Sequence, residues 1–218
     1  MYLKRYYCRC KYFDLESLIN VMVNFISYNK AFVVYIGVVL MRSNKIKIYI
    51  VFTYSGTMLS RIVKYYTRKE YSHVSIALDS GLERMYSFGR LNPYNPFIGG
   101  FVHEGINIGT FKRFKNTKAL VCSFEVSEWQ YRKLRRIIKK MERRKKIYRF
   151  NTIGLFASGV NVRIRRNNYF YCAEFVKYLL DEVDFESELP DIVKPMDFKK
   201  ISNLKVEYKG ILSNYQNV

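Results

Sequence analysis

The sequence predicts an α+β fold in which an antiparallel sheet packs against helices, and three observations carry that prediction. Residues 46–53 and 119–126 are rich in β-branched and aromatic side chains and read as core strands. Residues 71–79 and those after Gly81 alternate apolar and polar residues about a turn, which is the mark of a hairpin. Residues 58–67, 127–141 and 172–183 instead carry apolar residues at helical spacing. A chain of 218 residues with 49% hydrophobic content is long enough to bury one core without staples.

The first 44 residues read as an extension outside a domain at 45–218. Residues 18–41 are largely apolar but broken by Asn20, Asn24, Asn29 and Lys30. The clean run 31–41 is shorter than the roughly 20 residues a spanning helix needs, and the stretch lacks a signal peptide's cleavage site. Weak membrane association through 18–41 stays open. So does a native start at Met41, since Ile36-Gly-Val is what a ribosome-binding sequence ahead of that codon would encode.

From Lys45 a strand at 46–53 leads through the turn Tyr54-Ser-Gly-Thr57 into a helix carrying Leu59, Ile62, Val63 and Tyr66 on one face. Asp79-Ser-Gly81 fits a three-residue hairpin loop with Gly81 supplying the positive φ. That register pairs Leu78 with Leu82, Ile76 with Arg84 and Val74 with Tyr86, and on the other face His73 with Ser87. With Val74, Ile76 and Leu78 turned to the core, His73 points away from it and Ser87 lies beside it. Residues 90–100, with Pro93, Pro96, Gly99 and Gly100, read as a long, stiff loop able to wall a cleft. Strands are expected near 101–108 and 119–126. Ser127-Glu-Trp-Gln130 is a capping box, opening a helix with Leu134, Ile137, Ile138 and Met141 inward. A helix at 151–162, the Cys172 helix to about Val183, one helical turn at Pro195 and a strand at 204–208 complete the order.

The formal net charge of +20 predicts attraction to an anionic surface, whether acidic lipid, wall polymer or nucleic acid. Its densest stripe is Arg132, Lys133, Arg135, Arg136, Lys139, Lys140 and Arg143 to Lys146. Without interleaved aromatics the same stripe equally suits a solvated helix face. Four cysteines with no framework spacing point to a reducing, cytoplasmic setting. Cys8 and Cys10 have no second pair to complete a zinc site, Cys122 reads as a small core residue, and no metal or cofactor is implied.

Cys172 stands where the run Tyr169-Phe-Tyr171 turns into a helix, and His73 stands at the head of a strand. A helix N-terminus favours a thiolate, and an imidazole nearby accepts its proton, so the two make a candidate nucleophile and base.

The order strand, helix, Ser72-His-Val, second strand, further strands and Tyr171-Cys-Ala-Glu-Phe-Val resembles the circularly permuted papain-like families. These are the YiiX-type and NlpC-related hydrolases and the lecithin retinol acyltransferase group. Lys194-Pro-Met-Asp before a strand resembles their C-terminal end, and the resemblance covers about 45–210. It implies a circularly permuted papain-like fold with Cys172 as nucleophile and His73 as base. The families' third member is a polar residue on the strand after the histidine strand, which the hairpin register assigns to Ser87. Glu83, His103 and Glu104 are the fallbacks. Chemistry would be acyl transfer through a thioester. The Cys172 N–H would donate to the oxyanion, joined by a donor from the 54–57 turn.

Three functions stay open at this point. The first is a cysteine amidohydrolase or peptidase on a peptide-like or N-acyl bond, such as a bacterial cell-wall peptide. The second is an acyltransferase or thioesterase on lipid-linked substrates, docking on anionic headgroups. The third is a catalytically silent anion-binding module using the 132–146 helix.

Overall fold

Alternation in one strand sets the frame. In β1 (Lys45–Tyr54), Ile48, Ile50 and Phe52 point to one face and Tyr49 and Val51 to the other, and all five are buried. A strand apolar on both faces belongs inside a sheet, and β1 pairs antiparallel with both β2 (His73–Ala77) and β5 (Lys118–Ser127). The computed structural model describes residues 44–92 and 94–216. The stretch 18–41, Cys8, Cys10 and Met41 lie outside the described residues.

The chain is α+β, with an open, mixed eight-stranded sheet in the order β7-β6-β4-β3-β2-β1-β5-β8. The remaining strands are β3 (Met85–Asn92), β4 (Asn95–Glu104), β6 (Arg149–Phe150), β7 (Tyr169–Phe170) and β8 (Lys205–Ile211). Every pairing is antiparallel except β6 with β7, which corrects the expectation of a wholly antiparallel sheet. The reason is the helix between those two strands, which returns the chain in the same direction, as a crossover does. The α-helices among the described residues are α1 (Met58–Thr67), α2 (Gly109–Arg113), α3 (Glu128–Arg143), α4 (Thr152–Gly159) and α5 (Cys172–Glu182). The capping box of α3 forms as expected, with Gln130 N donating to Ser127 Oγ and Ser127 N to Gln130 Oε1.

Two apolar layers flank the sheet. The larger joins Ile50, Phe52, Val74, Ile76 and Phe88 to α5 and α3, with Phe175 against Phe88 and Phe101 at 5.2 and 5.8 Å between ring centroids. The smaller holds Tyr49, Val51, Ala77, Met85 and Phe111 on the opposite face. Cys122 is fully buried in the larger layer, the packing role expected of it.

The β2–β3 hairpin departs from its expected register by two residues: Ile76 pairs with Tyr86 and Ala77 with Met85. Asp79 causes the shift, because its carboxylate accepts from both Glu83 N and Arg84 N at 2.9 Å and so widens the loop. Leu82, not Gly81, takes the positive φ of 55° and is fully buried in the smaller layer. A slip of two preserves the faces, so His73 still turns away from Val74 and Ile76. Residues 90–100 are likewise no free loop: they continue the β3–β4 hairpin, pairing Arg90 with Gly99 and Asn92 with Asn95. Gly99 and Gly100 make this possible. A Cβ on Gly100 would come within 2.7 Å of the Tyr148 carbonyl, so the bare backbone is what lets β6 dock there.

Replacing Phe175 by Ala removes the ring that ties α5 to β3 and β4. The expected loss is about 3–5 kcal/mol, read from urea unfolding of the two proteins.

Candidate active site

His73 opens β2, so its ring stands at the free end of that strand. On the same face follow Ser75 on β2 and, from the neighbouring strands, Ser87 and Glu104, a polar group set in an otherwise apolar sheet. His73 Nε2 lies 3.1 and 3.3 Å from the two Glu104 carboxylate oxygens and 3.2 Å from Ser87 Oγ. Ser75 Oγ donates to Glu104 Oε2 at 2.5 Å. Ser87 donates its own proton to the Val74 carbonyl at 3.1 Å, so toward the imidazole it acts as acceptor. Facing a carboxylate and an acceptor hydroxyl, Nε2 carries a hydrogen. That leaves Nδ1 without a hydrogen, free to accept one, in the cavity that Cys172 also lines.

Cys172 is the first residue of α5 and only 3% exposed. The sequence places it there through the β-region φ and ψ of Tyr171 before it, at −98° and 168°. Three residues on, the Glu174 carboxylate turns back to the Tyr171 backbone and to Asn151 Nδ2 at 3.4 Å. Burial raises the Glu174 pKa, while those two hydrogen bonds oppose the rise. The Tyr171 side chain makes no capping hydrogen bond at this N-terminal end of α5.

Burial disfavours a charged His73, but the hydrogen-bonded Glu104 carboxylate and the nearby Cys172 outweigh it and push the imidazole up to about 10. Cys122 shows the contrast: burial in the core pushes that thiol up to about 11. The His73–Glu104 pair is itself largely out of water, with side chains 21% and 11% exposed.

Cys172, His73 and Glu104 line one cavity of about 220 Å³. The 54–57 turn forms part of its wall: Gly56 takes a φ of 70°, and Thr57 caps α1 by accepting from Ser60 N at 3.4 Å. Ser55, Thr57 and Ser72 line the same space, and Ser72 Oγ is buried with no hydrogen-bond partner among the described residues. Met58, Ile62 and Phe156 line it and are also 59%, 39% and 44% exposed, which makes its mouth apolar.

Of the expected site residues, Cys172, His73 and Ser87 come together. Glu104, the fallback, is the nearest acidic partner of the imidazole, so the third position is shared by a hydroxyl and a carboxylate. Glu83 sits exposed in the turn, where its carbonyl lies 2.6 Å from His103 Nε2, and His103 stacks on Tyr86 at 5.0 Å. Neither joins the site, because His103 alternates to the opposite face from Glu104. Ser75 was missed. Its signal was its position two residues after His73, on the same face. Among the described residues no group of three or more metal-ligating side chains could hold an ion. The outer face of α3 presents Arg136, Lys139, Lys140 and Arg143 exposed, while Arg132 pairs with Glu128 and Lys133 with Asp184.

The chain has two histidines, so the imidazole signals of His73 and His103 can be followed separately by NMR. His73 is expected to titrate near 10, and Glu104→Gln should bring it down toward 6.5. Since the folded value lies above the unfolded one, His73 adds stability that is full below about pH 6.5 and is lost as pH rises through about 10. A wild-type His73 that titrates near 6.5 would contradict the pairing.

Compared with protein-family models, curated proteins and solved structures, the chain gives no match to any of the three.

Proposed function

We propose that the chain is a cysteine amidohydrolase of circularly permuted papain-like fold, cleaving an amide in a peptide-like or N-acyl substrate. The observation that carries this is that Cys172, the first residue of a helix, lines one cavity with His73, whose imidazole is backed by Glu104. The element order and the two short segments around His73 and Cys172 support the fold reading.

In the proposed reaction, His73 holds the thiol proton as imidazolium, and Glu104 offsets that charge. The Cys172 sulfur attacks the carbonyl carbon, and the displaced electron pair goes to the oxygen, which takes the Cys172 N–H. Collapse expels the amine, which leaves with the His73 proton, and a thioester remains. Water then gives a proton to His73 and attacks the thioester. The carboxylic acid departs and the sulfur takes the proton back. An imidazole raised to about 10 stays protonated through neutral pH, so it can act as the acid for the amine.

The test is turnover of N-acyl p-nitroanilides and p-nitrophenyl esters, with acid-quenched intact mass to detect the acyl-protein. Wild type should show a thioester on Cys172, and Cys172→Ala neither thioester nor turnover. His73→Ala should lose about 10²–10⁴-fold in rate. Glu104→Gln should move the alkaline limb of the pH–rate profile to lower pH, because the imidazolium loses its proton sooner. Turnover that persists in Cys172→Ala would refute the mechanism.

A second reading is favoured by the apolar mouth at Met58, Ile62 and Phe156: a lipid-directed acyltransferase or thioesterase using the same thioester. It expects co-sedimentation with phosphatidylglycerol vesicles that weakens with salt and drops when Arg136, Lys139 and Lys140 are changed to Glu. Absence of vesicle binding at low salt would remove it. A silent anion-binding module would show the same α3 dependence and no effect of Cys172→Ala.

A further inference from the structure

We propose that the cavity of Cys172 and His73 takes an acyl donor bearing a carboxylate or phosphate, and that Arg90 is the residue that binds this anion. The proposal rests on the thioester reading above and adds to it the class of substrate.

Arg90 lies on β3 directly after Gly89, whose backbone runs against the catalytic pair. A Cβ on Gly89 would stand 3.4 Å from Glu104 Oε1 and 3.8 Å from His73 Cε1. Arg90 lines the same cavity and is half-buried. No carboxylate among the described residues forms an ion pair with it. Its charged neighbour is Arg113. Burial, together with that like charge, disfavours its protonated form. A guanidinium drawn out of water with another cation beside it is unfavourable until an anion joins it.

The surroundings leave that role to a ligand. Glu104, the carboxylate on the cavity wall, is already engaged by His73 and Ser75. The Arg90 guanidinium sits over the Phe114 ring, 5.7 Å from its centroid. That contact uses none of the guanidinium's N–H donors, which can grip a carboxylate or phosphate with two parallel hydrogen bonds. The rest of the lining joins apolar Leu59, Val63, Phe111 and Leu155 to uncharged Ser and Thr hydroxyls, and carries no second carboxylate. A substrate with an apolar body and one anionic end matches this pattern, and the chain's charge of +20 draws such a molecule in.

Iodoacetate and iodoacetamide, alike in size and differing in charge, test this on the full chain through their alkylation rates at Cys172. The ratio of the two rates cancels changes in the thiol itself, and the charge of His73 acts in wild type and variant alike. Arg90→Gln should lower the iodoacetate-to-iodoacetamide ratio about five- to tenfold, and Arg90→Lys should keep most of it. Calorimetric titration of wild type with glutarate, phenyl phosphate and neutral glutaramide identifies the anion and does not depend on the thiol. One of the two anions should bind and glutaramide should not. An unchanged ratio in folded Arg90→Gln, checked by near-ultraviolet circular dichroism, overturns the proposal. If that variant does not fold, the wild-type titration decides, and equal binding of glutaramide overturns it. Anion binding beside a Cys172 inert to both reagents would instead sink the thioester reading and leave Arg90 as an anion site.

Discussion

Glu104 brings a carboxylate into a face of the sheet where little water reaches it, and the site is built around satisfying that charge. Left alone, a carboxylate in such a place would take up a proton or pull the strand end into solvent. Instead His73 and Ser75 hold its two oxygens, and Ser87 takes up the remaining reach of the same imidazole. The four residues come from three adjacent strands, so the network forms only when β2, β3 and β4 are in register. Removing one partner of such a buried pair is costlier than never having built it. The network therefore fixes the tautomer of His73 and the alignment of the strands at once.

The same network explains why a buried imidazole carries charge. Desolvation by itself favours the neutral ring, and in the apolar core the comparable penalty raises Cys122. At His73 the Glu104 carboxylate on Nε2 and the nearby Cys172 favour the charged ring, and together they exceed the desolvation cost. Cys172 takes its place because α5 begins there, directly after the extended backbone of Tyr171. Electrostatics and helix geometry reinforce each other at this one point.

Glycines do quieter work around the cleft. Gly89 lies beside the imidazole and carboxylate, and Gly99 and Gly100 admit Phe150 and the Tyr148 carbonyl where a Cβ would clash. The residue after Gly89 is Arg90, so the backbone beside His73 and Glu104 also carries a guanidinium to the cavity. Cys172, His73 and Arg90 thus line a single space together with apolar and hydroxyl side chains.

What could be read from residues alone was whatever depends on local periodicity and chain chemistry. Both faces of β1, the capping box at Ser127 and the helix that starts at Cys172 follow from spacing within a few residues. The face of His73 also came through, because a register slip of two leaves alternation unchanged. Three things needed the tertiary structure. The hairpin loop was widened by Asp79 accepting two amides, a competition no pattern weighs. The 90–100 segment became paired strands because β6, distant in sequence, docks on its glycines. The partner of His73 proved to be Glu104 as well as Ser87, since the carboxylate arrives from β4, and strand order is set by long-range packing. Local sequence determines which way a side chain points; only the folded sheet decides which side chain from another strand it meets.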